Sequence, residues 1–187
     1  RKMEGDVMSF LKYLKNQYIK PAKYYKRYSA PFFNISTFID YMDEYDQWLY
    51  KLPLPKDLKI LDIGSDYGSL YYYLKSHGFN VLKYRPYDYL IFQPFIEQEY
   101  HKLFQDYNFI KIDCEGCEFE IFKKVDTNML DNNIIFAIAI HRNEKYTDEV
   151  AKKIQFFCPY KIYSIGFEDM YTNKISRQMQ MTNLGMR

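Results

Sequence analysis

Cysteine, glycine and proline are all scarce in this chain of 187 residues, with three, seven and seven copies respectively. Three cysteines are too few, and odd in number, for a framework of disulfides, which suits a reducing cytosol. No apolar run approaches the roughly 20 residues that a bilayer-spanning helix needs, so we expect a cytoplasmic protein with no membrane partner. The formal net charge of only +2 gives no reason to expect nucleic acid as a partner.

Apolar and aromatic side chains are abundant: 48% of the residues are hydrophobic, with 21 Tyr and 15 Phe. The chain is long enough for one domain with a sizeable core and an appendage. Residues 6–20 and a helix capped by Ser36 show apolar spacing typical of amphipathic helices, and the segment 52–55 breaks this periodicity. We therefore expect a helical extension over residues 1–55, a candidate surface for a homo-oligomer, and a main domain over 56–187.

The main domain alternates apolar strands with amphipathic helices, which predicts an α/β fold with a mostly parallel sheet. The predicted strands cover residues 58–63, 80–84, 109–113 and 134–140, and the predicted helices 68–78, 90–105 and 147–158. Residues 161–167 and 175–181 are predicted to pair as a C-terminal antiparallel hairpin.

Polar residues stand at the ends of all four predicted parallel strands. These residues are Asp62, Arg85, Asp113 and His141. Open parallel sheets bind ligands at the carboxyl ends of their strands, near the switch point of the strand order. We therefore expect the four side chains to face one crevice.

The turn after the first strand reads D-I-G-S-D-Y-G over residues 62–68 and carries two glycines. Gly64 and Gly68 allow a tight turn and a close approach of the backbone to a ligand, and the next helix supplies unpaired N–H donors. Their G-x-x-x-G spacing differs from the dinucleotide pattern G-x-G-x-x-G and favours S-adenosylmethionine over NAD. A purely structural strand-to-helix turn stays open as an alternative.

A C-x-x-C pair lies among carboxylates directly after the third strand. Cys114 and Cys117 are interpreted as small apolar residues flanking this acidic turn, with a redox pair or a zinc site as less favoured alternatives. Glu118 and Glu120 fall in the first turn of a helix, where carboxylates favour the helix dipole whatever the function. We expect no metal, because the carboxylates alone do not define a coordination set.

Residues 109–122 resemble the signature of the FkbM-type family of S-adenosylmethionine-dependent methyltransferases, which reads close to I-K-I-D-V-E-G-A-E-x-E-V-L. The residues that match in register are Ile110, Lys111, Ile112, Asp113, Glu115, Gly116, Glu118 and Glu120. Asp62, Gly64 and Gly68 match the cofactor turn of the family, V-D-V-G-A-x-x-G. The resemblance extends over residues 57–145.

The resemblance implies a Rossmann-like methyltransferase fold and methyl transfer to an oxygen of a small molecule or sugar. Such a transfer needs an aligned, partly deprotonated acceptor oxygen. Asp113 would orient the acceptor hydroxyl or the amino group of the cofactor, while Glu115 and His141 are candidate bases. The candidate cofactor-binding residues are Asp62, Gly64, Ser65, Asp66, Tyr67, Gly68, Arg85 and Asp113.

Three departures from the family pattern keep other functions open. Arg85 stands where an acidic residue normally holds the ribose, and Asp88, three residues on, could replace that residue only if the loop bends back. Residues 87–108 are predicted to form one aromatic helix, so we expect the sheet to lack one edge strand. Ala139 stands where the family usually has a Glu. There are two alternatives. The chain could have a degenerate methyltransferase fold that acts as a binding module, or it could have a site of the NADP type in which Arg85 binds a phosphate.

Overall fold

The computed structural model describes residues 35–65, 68–87, 97–141 and 147–183. Within these ranges the strands are β1 (Asp57–Ile63), β2 (Asn80–Tyr87), β3 (Phe109–Ile112), β4 (Ile135–His141), β5 (Tyr160–Ile165) and β6 (Glu168–Thr172). The α-helices are α1 (Ile35–Trp48), α2 (Ser69–Ser76), α3 (Glu97–Gln105), α4 (Cys117–Lys124), α5 (Asp148–Phe157) and α6 (Arg177–Asn183). The helix predicted over 6–20 lies outside the described residues.

The strands form one sheet in the order β2-β1-β3-β4-β6-β5. The first four strands are parallel, and β6 runs antiparallel to both β4 and β5. The predicted α/β architecture, with a mostly parallel sheet and a C-terminal antiparallel hairpin, is confirmed. Since β2 and β3 flank β1 on opposite sides, the strand order reverses between β1 and β3, where open sheets bind ligands.

Helices cover both faces of the sheet because successive strand residues point to opposite sides. Leu61 and Ile63 pack into a cluster with residues of α3, α4 and α5. Leu58 and Ile60 pack into a second cluster with residues of α1 and α2. No helix in the described part of the chain is both long and apolar enough to cross a membrane.

Helix α1 belongs to the predicted N-terminal extension, and together with α2 it forms the helical layer on one face of the sheet. Met42, Tyr45 and Trp48 are buried in the second cluster, against the same face of β1 as α2. The helix already includes Ser36, so the prediction that Ser36 precedes and caps it was wrong.

Two strand predictions were wrong in ways that affect the site. The second strand of the hairpin is Glu168–Thr172 rather than 175–181, because the chain turns at Gly166, which has a φ of 54°. Ile175, which precedes α6, and Met179, which lies within it, instead pack against the core. Strand β2 continues to Tyr87, so that the predicted end at residue 84 is three residues too early. Residues 88–96 lie outside the described part.

Candidate functional site

The tips of β1 and β3 are in direct backbone contact at the point where the strand order reverses. The Asp113 N–H donates a hydrogen bond to the Ile63 carbonyl oxygen, 2.9 Å away. Gly64 has a φ of 74°, and a Cβ at this position would overlap the Asp113 carbonyl oxygen. The glycine was expected to allow a close approach of the backbone to a ligand. In the structure, the backbone that it approaches is that of Asp113.

A buried lysine on β3 links the ends of these two strands. The side chain of Lys111 is only 3% exposed, and its Nζ lies 3.5 Å from Asp62 Oδ1 and 3.1 Å from Asp113 Oδ2. The hydroxyl of Tyr84 donates a further hydrogen bond to Asp62, at 2.8 Å. Asp62, predicted to bind the cofactor, is thus buried with its carboxylate engaged inside the fold.

The charges in this group shift one another's pKa values. Burial raises the pKa of Asp62, and the Lys111 charge together with the Tyr84 hydrogen bond offsets part of that rise. Burial alone would lower the pKa of Lys111, but the charges of Asp113 and Asp62 outweigh it and raise the pKa well above its usual value. The raised pKa of Lys111 favours its charged form, and the two acidic neighbours offset the cost of burying that charge. Asp62 Oδ1 itself has no hydrogen-bond partner among the described residues.

Glu118 is a fully buried carboxylate that fixes the orientation of His141. Its Oε2 accepts the Gly116 N–H at 2.9 Å, and its Oε1 accepts the backbone N–H of His141 at 3.1 Å. The same Oε1 lies 3.3 Å from the His141 Nδ1. Glu118 was expected to be only a dipole-favouring carboxylate, and for this residue that interpretation was incomplete. Glu120 does lie at the surface, 3.2 Å from Lys123.

The three predicted catalytic residues, Asp113, Glu115 and His141, lie close together, with both carboxylates beside the His141 ring. Its Nε2 lies 3.6 Å from Asp113 Oδ1 and 3.8 Å from Glu115 Oε1. Burial alone would lower the pKa of His141, but the hydrogen bond and charge of Glu118, with the charges of Asp113 and Glu115, raise it to about 9. Glu115 is 72% exposed and has a φ of 53°, so its carboxylate faces solvent from a backbone conformation rarely adopted by non-glycine residues.

Two acidic residues that the sequence did not predict lie beside this group. Glu168, on β6, is directly opposite His141 on β4. Burial, followed by the charges of Asp113 and Glu44, raises the pKa of Glu168 to about 7. Glu44, on α1, also has a raised pKa, because of its burial and the charge of Asp113.

The sequence assigned no role in the site to Lys111, Glu168 or Glu44, and only Lys111 carries a signal that could have revealed its role. Lys111 interrupts the apolar strand F-I-K-I, and a lysine in a buried strand needs a carboxylate partner. Glu168 was missed because residues 175–181 were taken as the second strand of the hairpin. Glu44 was missed because nothing local to α1 indicates what its polar side faces.

The remaining predicted cofactor residues are only partly described. Ser65 is buried, and its carbonyl oxygen accepts the Gly68 N–H at 2.8 Å. Gly68 has a φ of 76° and directly precedes α2. Asp66 and Tyr67 lie outside the described residues. Arg85 is exposed within β2 rather than at its end, and it pairs in register with Leu61, which places it on the opposite face of the sheet from Asp62.

The cysteines at the start of α4 form a disulfide between Cys114 and Cys117, with 5.3 Å between their Cα atoms. The interpretation of the pair as two small apolar residues was therefore wrong. The third cysteine, Cys158, is a buried free thiol whose pKa is raised by burial.

A pocket elsewhere in the molecule does not bear on this site. It is lined by residues 54–57 and 77–80, which lie at the amino-terminal ends of β1 and β2. Asp113, Glu115 and His141 lie at the opposite, carboxyl ends of the strands. The candidate site is instead defined by Asp113, Glu115 and His141, whose side chains meet at these carboxyl ends.

No model of a known protein family, no curated protein sequence and no solved structure matches this chain.

Proposed function

We propose that this chain is an S-adenosylmethionine-dependent methyltransferase that methylates an oxygen of a small molecule or sugar. The observation that carries the proposal is the meeting of Asp113, Glu115 and His141 beside the glycine turn that follows β1. These residues lie where the strand order reverses, which is the usual ligand position in an open α/β sheet. The strand order is compatible with a Rossmann-like methyltransferase sheet that lacks one edge strand.

The proposed reaction requires no covalent bond between the protein and its substrates. S-adenosylmethionine, when bound, would supply the methyl group: its carbon–sulfur bond would break as the bond to the acceptor oxygen forms, and the electron pair would stay on sulfur. The acceptor proton must leave to a base. We assign this role to the exposed carboxylate of Glu115. His141, the second candidate, accepts a proton only above its raised pKa of about 9, where its imidazole is neutral. To Asp113 we assign the orientation of the acceptor hydroxyl or of the cofactor amino group.

The extension of β2 changes where the ribose hydroxyls of the cofactor are expected to bind. Arg85 cannot accept hydrogen bonds from them, and it lies within the strand rather than at its tip. In the sequence, Asp88 directly follows Tyr87, the last residue of β2, and it lies outside the described residues. In this proposal Asp88 accepts the ribose hydroxyls, the role that acidic residues after the second strand have in related sheets.

Calorimetric titration with S-adenosylhomocysteine tests the proposal, because this product-like ligand needs no known acceptor. We expect saturable binding at micromolar concentration, and a loss of about tenfold or more in Asp88→Ala, from the loss of charge-assisted hydrogen bonds. Asp106→Ala is the matched control: Asp106 is an exposed partner of Lys83, and surface pairs contribute little.

Absence of binding to the unsubstituted chain would remove the proposal and leave the binding-module alternative. Stabilisation by a phosphorylated nucleotide instead of S-adenosylhomocysteine would favour the phosphate site at Arg85.

A further inference from the structure

Three side chains at the carboxyl end of the sheet offer ligand atoms to one point in space. One nitrogen of His141 and one carboxylate oxygen each of Asp113 and Glu168 all lie within 4.8 Å of one another. A divalent cation with bonds of about 2.1 Å holds neighbouring ligand atoms about 3.0 Å apart and opposite ones about 4.2 Å apart. The 3.6 Å between His141 Nε2 and Asp113 Oδ1 falls within this range. The limit of 4.8 Å for all three atoms lies above it, so a cation would have to draw the ligands together.

Each of two ligands has its other polar atom fixed by a second residue. Glu118 lies against the His141 Nδ1, at 3.3 Å, which leaves the Nε2 facing Asp113. Lys111 holds the Oδ2 of Asp113, at 3.1 Å, while the Oδ1 faces the imidazole. Histidines that bind metals usually donate their other ring N–H to a carboxylate in this way, which fixes the ring orientation and strengthens the ligand.

The third ligand, Glu168, has an unsatisfied oxygen. Its Oε1 is buried and has no hydrogen-bond partner among the described residues. A buried carboxylate oxygen without a donor is costly, and a cation would satisfy it. The antiparallel pairing of β6 with β4 places the backbone of Glu168 directly opposite His141, so that the sheet fixes the position from which this side chain projects.

We propose that Asp113, His141 and Glu168 bind one divalent transition-metal cation. A set of one imidazole and two carboxylates favours first-row transition cations such as Mn²⁺ or Zn²⁺ over Mg²⁺ and Ca²⁺, which prefer oxygen ligands alone. The sequence predicted no metal, because its carboxylates did not define a coordination set. The pairing of β4 with β6 supplies the set that was missing.

A second group of metal-ligating side chains, Cys114, Cys117 and Glu118, does not compete for this assignment. Both sulfurs are used in the disulfide, and Glu118 accepts hydrogen bonds from Gly116 and His141.

The cation site itself does not rest on the proposed function, although its role in catalysis does. Three protein ligands leave open coordination positions, and an acceptor hydroxyl bound there would lose its proton more readily. If methyl transfer is the activity, the cation would hold the acceptor oxygen while Glu115 takes the proton.

Titration of the chelator-treated chain with Mn²⁺, followed by electron paramagnetic resonance of the free ion, tests the proposal. Mn²⁺ is the probe because it has little preference for thiolates. At pH 8 without reductant, we expect one saturable site per chain. Glu168→Gln, which keeps the side-chain shape, is expected to weaken binding at least tenfold. The control Glu120→Gln removes an exposed carboxylate of α4 and is expected to bind as the unsubstituted chain does.

Thermal unfolding of the same proteins guards against a variant that fails to fold. We expect Mn²⁺ to raise the melting temperature of the unsubstituted chain and of Glu120→Gln, but not of Glu168→Gln. Equal binding by Glu168→Gln, or no saturable binding up to millimolar Mn²⁺, would overturn the cation site. Binding of S-adenosylhomocysteine, measured separately in chelator, shows whether the proposed function fails as well or stands without the cation.

Discussion

Gly64 is the residue on which the backbone contact between β1 and β3 depends. No side chain fits there, since a Cβ would overlap the carbonyl oxygen of Asp113. A shift of the Asp113 backbone would in turn move its carboxylate away from Lys111 and His141. The glycine thus determines the geometry of the candidate site even if it touches no ligand.

We expect Gly64→Ala to lower the free energy of unfolding by about 2–4 kcal/mol, from overlap with backbone added to the strain of a positive φ. Gly78→Ala is the matched control, because Gly78 has a φ of 85° but nothing within 4 Å of its Cβ position. The control should lose only about 1–2 kcal/mol, the strain alone. Urea denaturation measures both, and equal losses would show that the contact with Asp113 is not restrictive.

Lys111 shows how a single residue departs from the pattern of its element. Its neighbours on β3 are apolar and buried, and Lys111 is buried as they are although its side chain is charged. Its two carboxylate partners come from different strand ends, Asp62 and Asp113, so only the parallel pairing of β1 with β3 brings the three charges together.

At the scale of elements, α1 is an integral layer of the fold. Met42 and Trp48 are fully buried in the cluster that covers one face of β1. The same helix brings Glu44 close enough to Asp113 for the charges to affect each other. Stability and the electrostatics of the site are therefore linked through one helix.

We expect Met42→Ala to destabilise the protein by about 2–5 kcal/mol, because it opens a cavity between α1 and the sheet. Gln47→Ala, an exposed position of the same helix, should change stability by less than about 0.5 kcal/mol. The fluorescence of Trp48, the single tryptophan, follows unfolding in urea. If both variants unfold at the same urea concentration, α1 does not pack on the sheet as described.

Elements with strong local periodicity were predicted closely, while those with weak local signals were not. The runs that became β1, β3 and β4 are apolar enough to be identified from the sequence. The end of β2 was placed too early because Pro86 cannot donate to a strand ladder and so indicates a strand end, although an edge strand such as β2 tolerates a proline. In the hairpin, apolar residues 175–181 were mistaken for the strand that Glu168–Thr172 forms.

At the scale of the whole molecule, the site is assembled from segments far apart in the chain. Asp113 and His141 come from neighbouring parallel strands, Glu168 from the antiparallel hairpin and Glu44 from α1.

The accessibility of the three cysteines to a thiol reagent also depends on the tertiary structure of the whole molecule. Cys114 and Cys117 are bonded to each other, and the Cys158 thiol is buried with a raised pKa.

We expect a thiol reagent at pH 8 to find no fast-reacting thiol in the native chain, because a buried thiol is both inaccessible and protonated. Unfolding in urea should expose one thiol, Cys158, and prior reduction should expose all three. Three reactive thiols in urea without reductant would contradict the disulfide. A fast-reacting thiol in the native chain would contradict the burial of Cys158.

Local features of this protein followed from its residues alone: the apolar strands, the glycine turn after β1 and the acidic cluster after β3. Backbone preferences and apolar spacing act over a few neighbouring residues, so the linear order of side chains is enough to specify them. The partners of Lys111 and the position of Glu168 beside His141 were decided by strand order and register. These depend on how the whole chain buries its apolar surface, which no single segment contains.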